Sequence, residues 1–307
     1  MTTAVETLNS TPAGRLVVMA ARPVVRFLRR VLVPLGRMAT QTAQPTVRLV
    51  RHLANPDVPV DQMISKVGYR GKRFAILHRR TLSDVLAIRQ CFADAQYDLP
   101  DGAHGVLVAR IYKEIIESGR QPLIIDCGAN IGASVLWLIA RYPQAHVIAI
   151  EPAPDNVALL RRNCAGLDVD VKQAGIAAAD GLAHLSNPGR SSMGYRTHES
   201  NAGPEVDMLA VATLLQSKPA SLYSPFLLKV DVEGAEMDLF NGDCSAINRF
   251  PLIILEPHDW LLPGRLSSQA FFRFHAAAGR EFCMKHENIA SIALRSDLLG
   301  ITSGLKN

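Results

Sequence analysis

A glycine-rich turn is the first place where this sequence could do chemistry. Asp126 ends an apolar run, and Gly128, Asn130 and Gly132 follow in the spacing D-x-G-x-N-x-G. Glycines let a backbone turn sharply from strand to helix and approach a ligand closely. A carboxylate at this strand end would repel a phosphate but favour the amino group of a cationic ligand. The turn therefore predicts a site for S-adenosylmethionine rather than NAD.

A second acidic strand end follows at Glu151 and Pro152, after the apolar run Ile-Ala-Ile. A carboxylate at the end of the second strand can accept hydrogen bonds from both ribose hydroxyls of a nucleotide. The proline offers an apolar ledge for adenine. Together with the first turn, these two residues predict a nucleoside-binding crevice.

Charged residues cluster at the end of the fourth apolar run, in the stretch KVDVEGAE. Lys229, Asp231, Glu233 and Glu236 fall within eight residues of one another, and such charges in a cleft should shift each other's pKa. We expect Asp231 to face the sulfonium region of the ligand and Lys229 to orient the carboxylates. Glu236 is expected to favour the start of the following helix.

The fifth apolar run ends in Glu256, Pro257 and His258. A histidine beside acids can accept the proton of a substrate hydroxyl or amine. The sequence therefore predicts a reactive group of Asp231, Glu233, Glu256 and His258. Asp231 and Glu256 could also offer oxygens to Mg²⁺, but the spacing reveals no third ligand, and no metal site is predicted.

The elements that must position these residues alternate along the chain. The sequence predicts strands at 123–127, 145–150, 169–173, 227–230, 252–255, 281–286 and 289–294, with helices after each of the first two and after the fourth and fifth. Such alternation favours a mostly parallel sheet covered by helices on both faces, with ligands at the carboxyl ends of the strands. We expect an α/β lead-in over 57–122, the ligand-binding domain over 123–307, and a polar surface loop over 186–204.

The segment 1–56 differs from the rest in charge and in pattern. Its prolines stand at 12, 23, 34, 45 and 56, and arginine follows three residues later at 15, 26, 37 and 48. Eleven residues make three helical turns, so the arginines share one face and the apolar residues another. The segment carries eight arginines and one acid, whereas the other 251 residues have a net charge of −2.

An arginine face opposite an apolar face is typical of a helix that lies on a membrane surface. Short helices that begin near each proline are therefore predicted, and residues 12–55 are expected to contact anionic lipid. Contact with a protein and a disordered basic tail stay open as alternatives. The stripe has no lysine and no aromatic residue, so nucleic acid is not expected as a partner.

Composition limits the remaining classes of protein. The chain is 48% hydrophobic and 20% charged, which excludes a wholly disordered or collagen-like protein. Its five cysteines form no C-x-x-C pair, so a disulfide framework is not expected and a reducing cytosol is predicted. No secretory signal pattern or bilayer-spanning apolar run is predicted. We therefore expect a cytoplasmic protein, peripheral on the inner membrane face.

Four stretches of the chain resemble the FkbM family of S-adenosylmethionine-dependent methyltransferases. They are IIDCGANIG (124–132), IAIEPAPDN (148–156), LLKVDVEGAEMDLF (227–240) and LIILEPH (252–258). The resemblance implies a class I methyltransferase fold, which is Rossmann-like α/β with a seven-stranded sheet whose last strand is antiparallel. It implies as cofactor contacts Asp126, Gly128, Ala129, Asn130, Gly132, Glu151 and Pro152.

The resemblance also implies transfer of a methyl group, most often to a hydroxyl oxygen. The expected acceptor is a glycan, a lipid or a small molecule such as a secondary metabolite. Asp231, Glu233, Glu256 and His258 are expected to face it. The alternative function is a cofactor-binding scaffold without catalysis, which acts at a membrane surface or on a protein partner.

Overall fold

A computed structural model describes residues 46–48, 61–187, 196–198 and 203–294, which belong to one compact unit. Most of the proline-arginine repeat over 1–56 lies outside these residues. Strand β1 (Thr46–Arg48) is the exception, and it pairs antiparallel with the next strand. The prediction of a helix from Pro45 is therefore wrong for these three residues. Two of them, Thr46 and Val47, are β-branched and fit a pleated edge better than a helix.

The lead-in begins with a hairpin of β2 (Gln62–Tyr69) and β3 (Lys72–Arg79). Helices α1 (Leu82–Phe92) and α2 (Ala103–Glu117) follow. The apolar faces of these elements join the same hydrophobic core as one face of the central sheet. The lead-in is thus packed directly on the sheet.

The central sheet is built from seven strands, and the first five of them in chain order are parallel. The strands are β4 (Gln121–Cys127), β5 (His146–Ile150), β6 (Val169–Lys172), β11 (Tyr223–Val230), β12 (Leu252–Leu255), β13 (Glu281–Lys285) and β14 (Asn288–Ile292). Their order across the sheet is β13-β14-β12-β11-β4-β5-β6. Only β14 runs antiparallel to its neighbours in this sheet. The predicted class I methyltransferase sheet, with an antiparallel last strand, is confirmed.

Helices cover both faces of this sheet. They are α3 (Ala133–Arg141), α4 (Pro154–Asn163), α5 (Val211–Gln216), α6 (Glu236–Asn241), a short 3-10 helix (Ile247–Arg249) and α7 (Gln269–Ala277). Alternate residues of β4 enter different cores: Ile124 packs in one, Leu123 and Ile125 in the other. A strand that buries both faces needs an unbroken apolar run, which is the pattern the sequence has there.

A second, four-stranded sheet was not predicted. It contains β7 (Gly175–Ala177), β8 (Gly181–Ser186), β9 (Arg196–His198) and β10 (Glu205–Ala210), in the order β7-β10-β8-β9. Part of the segment predicted as a polar loop, at 196–198, is a strand of this sheet. Across the part of the chain that the structure describes, no helix is both long and apolar enough to cross a membrane.

Candidate active site

A cavity opens at the carboxyl ends of three adjacent strands, β11, β4 and β5. It has an empty volume of about 860 Å³, counting the part open to solvent. Its walls come from the turn after β4, the end of β5, the start of β7 and the segment after β11. A cavity is therefore present where the sequence predicts a nucleoside-binding crevice.

The turn after β4 is held open by the neighbouring strand. The N–H groups of Gly128 and Ala129 both donate to the carbonyl of Ile150, at 3.0 Å each. Gly128 has a φ of 81°, and a Cβ at this position would lie 1.9 Å from the carbonyl oxygen of Asp231. Only glycine fits between these two strand ends. The backbone is therefore free to approach a ligand here, as the spacing predicted.

Glu151 is buried at the end of β5 and braces the same turn. Its Oε2 accepts from the N–H of Asn130 at 2.9 Å, and its Oε1 accepts from the N–H of Ala153 and the side chain of Asn156. Burial raises the pKa of this carboxyl, and these three hydrogen bonds oppose the rise. A carboxylate has about four acceptor positions, so one stays free on Oε2. The sequence predicted contact with both ribose hydroxyls, but this geometry leaves room for one.

Asp126 and Lys229 form a buried ion pair behind the cavity wall. The two residues are register partners on β4 and β11, and Lys229 Nζ lies 3.0 Å from Asp126 Oδ1. The hydroxyl of Ser134 donates to the other oxygen of Asp126 at 2.6 Å. Burial lowers the pKa of Lys229, but the charges of Asp126, Tyr97 and Asp231 outweigh it and raise the pKa well above the ordinary value. The lysine is therefore a fixed positive charge.

Asp231 connects this ion pair to the cavity. Its Oδ2 lies 3.3 Å from Lys229 Nζ and accepts a hydrogen bond from the Tyr97 hydroxyl at 3.4 Å. The lysine Nζ also sits 5.3 Å from the centre of the Tyr97 ring, a distance at which a cation is attracted to an aromatic face. These contacts hold one carboxylate oxygen and leave the other, Oδ1, directed toward the end of β12.

His258 and Glu256 follow β12 and complete a cluster with Asp231. The Nε2 atom of His258 lies 3.7 Å from Asp231 Oδ1 and 3.8 Å from Glu256 Oε1. We refer to Asp231, Glu256 and His258 as the strand-end trio. Burial raises the pKa of Glu256 to about 8, and the charge of Asp231 adds to this rise. The negative charges of Asp231 and Glu256 therefore repel each other, which disfavours ionisation of both carboxyls at once.

Glu236 orients the histidine of the trio. It is completely buried at the start of α6, and its Oε1 makes a short hydrogen bond with His258 Nδ1. Burial lowers the pKa of His258, but Glu236 and then Asp231 outweigh burial and raise the pKa to about 9. The sequence assigned Glu236 only to the helix start. In the structure it also fixes which nitrogen of His258 faces Asp231 and Glu256.

The structure brings together most of the predicted site residues, but not all of them on the cavity wall. The lining includes Gly128, Ala129, Asn130, Glu151, Pro152, Asp231 and Glu233. Asp126, Gly132, Glu256 and His258 do not line it, and contact of Asp126 and Gly132 with the cofactor stays a prediction. Asp126 is turned inward by its pairing with Lys229, and Gly132 lies where a Cβ would meet Leu160 at 2.8 Å.

The lead-in contributes to the same cavity, which sequence reasoning missed. Ala87, Gln90 and Cys91 of α1, and Tyr97 after it, are part of the lining, as is Thr197 of β9. None of these residues belongs to a spaced motif. Their role follows only from the packing of α1 and β9 against the strand ends.

This chain is similar to a known protein family and to several known proteins. Residues 126–279, which are 154 of the 307, match the model of the methyltransferase FkbM domain. A methyltransferase of Sordaria araneosa, sdnD, is 32% identical over 174 residues, which cover 43% of this chain and 67% of the relative. Methyltransferase 1 of Beauveria bassiana is 33% identical over 143 residues, which cover 39% of this chain and 57% of the relative.

A search of solved structures matches this chain to the O-methyltransferase TomG of Streptomyces achromogenes in complex with SAM. It is 11% identical, with a TM-score of 0.36, over 70% of this chain and 91% of TomG. A Bacillus cereus O-methyltransferase in complex with SAH is 13% identical, with a TM-score of 0.33, over 69% of this chain and 91% of that one.

Proposed function

Because the chain belongs to the FkbM family of methyltransferases, we propose that it transfers the methyl group of S-adenosylmethionine to a hydroxyl oxygen of an acceptor. The observation that carries the proposal is the cavity that spans β5, β4 and β11, with Glu151 on one side and Asp231 on the other. The nucleoside lies against Glu151 and Pro152, and the sulfonium lies toward Asp231.

The protein's own residues bind the cofactor in this account. The free position of Glu151 Oε2 accepts a ribose hydroxyl, and the turn at Gly128 admits the amino acid part. Lys229 forms an ion pair with Asp231 and holds it in place, so that a carboxylate faces the positive sulfonium. Direct contact of Asp126 with the cofactor is not part of the proposal, because this side chain is completely buried and faces Lys229 and Ser134.

The acceptor binds on the side of the strand-end trio. S-adenosylmethionine bound beside it would supply its methyl group to the hydroxyl oxygen of the acceptor: the oxygen–carbon bond forms, the carbon–sulfur bond breaks, and S-adenosylhomocysteine and a methyl ether are the products. Positioning supplies much of the rate in such a reaction. The proton of the hydroxyl passes toward Asp231 and on to water, and the positive charge of His258 beside Asp231 assists this loss.

An apolar surface next to the trio supports a carbon-rich acceptor. The side chain of Trp260 is 71% exposed, and its ring centre lies 6.4 Å from that of His258. An exposed indole is suited to stack on a sugar ring, a lipid chain or a planar metabolite. The acceptor classes that we propose are therefore a glycan, a lipid or a small secondary metabolite.

Calorimetric titration tests the cofactor. We expect the full chain to bind S-adenosylmethionine and to give no heat with NAD, because the carboxylate of Asp231 lines the cavity and would repel a pyrophosphate. Gly128→Ala is expected to abolish the heat of S-adenosylmethionine binding, since its Cβ would displace the carbonyl of Asp231.

Gly166→Ala is the matched control for this titration. Gly166 also has a positive φ, +78°, but a Cβ there meets nothing within 4 Å. This variant carries the same kind of backbone strain without the clash, and we expect it to bind S-adenosylmethionine like the unmodified chain. Heat from NAD alone, or equal binding by the Gly128 variant, would overturn the assignment of the cofactor.

We also propose that residues 12–45 dock the enzyme on the inner face of an anionic membrane. The support is the arginine face of the first three eleven-residue units, which end at residue 44, before β1. In liposome flotation, the full chain should float with anionic vesicles at low salt and be released at high salt. A chain that lacks 1–45 should stay at the bottom, and equal flotation of both would refute the docking.

A further inference from the structure

Three potential ligand atoms of the strand-end trio converge on one point. Asp231 Oδ1, Glu256 Oε1 and His258 Nε2 lie within 4.8 Å of one another, and the histidine nitrogen is 3.7 and 3.8 Å from the two oxygens. Ligands about 2.1 Å from a small divalent cation, at right angles, are about 3 Å apart. Inward shifts of less than an ångström would therefore give a three-ligand coordination site.

The surroundings of His258 direct its Nε2 atom toward this point. The His258 side chain is only 1% exposed, and its Nδ1 is hydrogen-bonded to the fully buried Glu236. Its Nε2 makes no hydrogen bond within the part of the chain that the structure describes. A carboxylate that holds the far nitrogen of a histidine is the usual support of a metal-ligating imidazole.

The charge around this point is unbalanced. Four carboxylates with little or no exposure surround it, and one lysine is the fixed cation among them: Asp126, Asp231, Glu236, Glu256 and Lys229. The lysine contacts Asp126 and Oδ2 of Asp231, so the imidazole of His258 is the only basic group that lies beside both Oδ1 and Glu256 among the described residues. Like charges held this close are costly unless a positive ion lies between them.

We infer that the strand-end trio binds one divalent cation of the Mg²⁺ or Mn²⁺ class. Two carboxylate oxygens and one imidazole suit such ions better than thiolate-seeking metals. The inference deepens the proposed function: the cation would bind the acceptor oxygen and lower the pKa of its hydroxyl. Asp231 and His258 then assist deprotonation through the cation, and the proton leaves to water.

Binding of Mn²⁺ alone tests this inference without any turnover. The binding is measured by the decrease in the electron paramagnetic resonance signal of free Mn²⁺. We expect the full chain to bind one Mn²⁺. Glu236→Gln should weaken this binding by about 10–100-fold, the usual cost of losing the group behind a ligating histidine. Glu256→Gln, which removes a ligand, should weaken it at least as much.

Glu287→Gln is the matched control. Glu287 is exposed and adds to the negative potential at Glu256, but it is not part of the trio. Its loss should leave Mn²⁺ binding nearly unchanged. Failure of the full chain to bind Mn²⁺, or equal binding by the Glu256 and Glu287 variants, would overturn the inference. Methyl transfer that persists in excess chelator would also overturn it while leaving the proposed function intact.

Discussion

Lys229→Met is expected to lower the free energy of unfolding by about 3–5 kcal/mol, the usual cost of removing one partner of a buried ion pair. The lysine is 1% exposed and is the counter-ion of both Asp126 and Asp231. Methionine has a similar length and fills the space, so the cost comes from two carboxylates that lose their partner. Urea denaturation measures the change directly.

A surface ion pair provides the control for this experiment. Lys113 lies 3.2 Å from Glu117, and the two side chains are 73% and 58% exposed. Lys113→Met should therefore cost only about 0–1 kcal/mol, as exposed pairs do. Adding Asp126→Asn to Lys229→Met should recover part of the lost stability, because it removes one unpaired charge. Equal effects of the two methionine substitutions would show that Lys229 is not a buried counter-ion.

Asp231→Asn is expected to reduce the rate of methyl transfer by about 10²–10⁴-fold, the range that a positioned acid–base group contributes. The substitution keeps the shape of the side chain but removes the negative charge that links Lys229 to His258. Cofactor binding should fall much less, since the turn at Gly128 and the carboxylate of Glu151 are unchanged. Initial rates with labelled cofactor, beside calorimetric affinity, separate the two effects.

Asp259→Asn is a useful comparison in the same assay. Asp259 also follows β12, but its Oδ2 accepts a hydrogen bond from Ser268, away from the trio. The rate of methyl transfer by the Asp259 variant should stay close to that of the unmodified chain. If the Asp231 variant were equally active, Asp231 would have no part in the reaction.

The central sheet was predictable because each of its inner strands buries both faces. Such strands need unbroken apolar runs, as at 123–125 and 252–255, and these stand out in any sequence. The second sheet escaped prediction for the opposite reason. Strand β8 reads GLAHLS and buries only two of its six residues, so its pattern is that of a loop until its partners β9 and β10 are known.

The site was predictable only as far as its groups lie on spaced motifs. The turn at Gly128 and the acid at Glu151 line the cavity as expected. Asp126 lies behind the cavity wall because it pairs with Lys229, its register partner on the next strand. Lys229 stands 103 residues later, so the spacing of the first motif does not show this pairing. Tyr97 contacts Asp231, and Glu236 contacts His258. Both contacts join residues that are distant in sequence, so no local pattern indicates them.

The central claim is that this chain moves a methyl group from S-adenosylmethionine to an acceptor through the site at Asp231. Its most direct test is incubation of the full chain with cofactor labelled in the methyl group and with lipid, glycan and small-molecule fractions of a cell extract. The account predicts label in one of these fractions with the unmodified chain and almost none with Asp231→Asn. An unmodified chain that binds the cofactor yet labels no fraction would contradict the account and indicate a cofactor-binding scaffold.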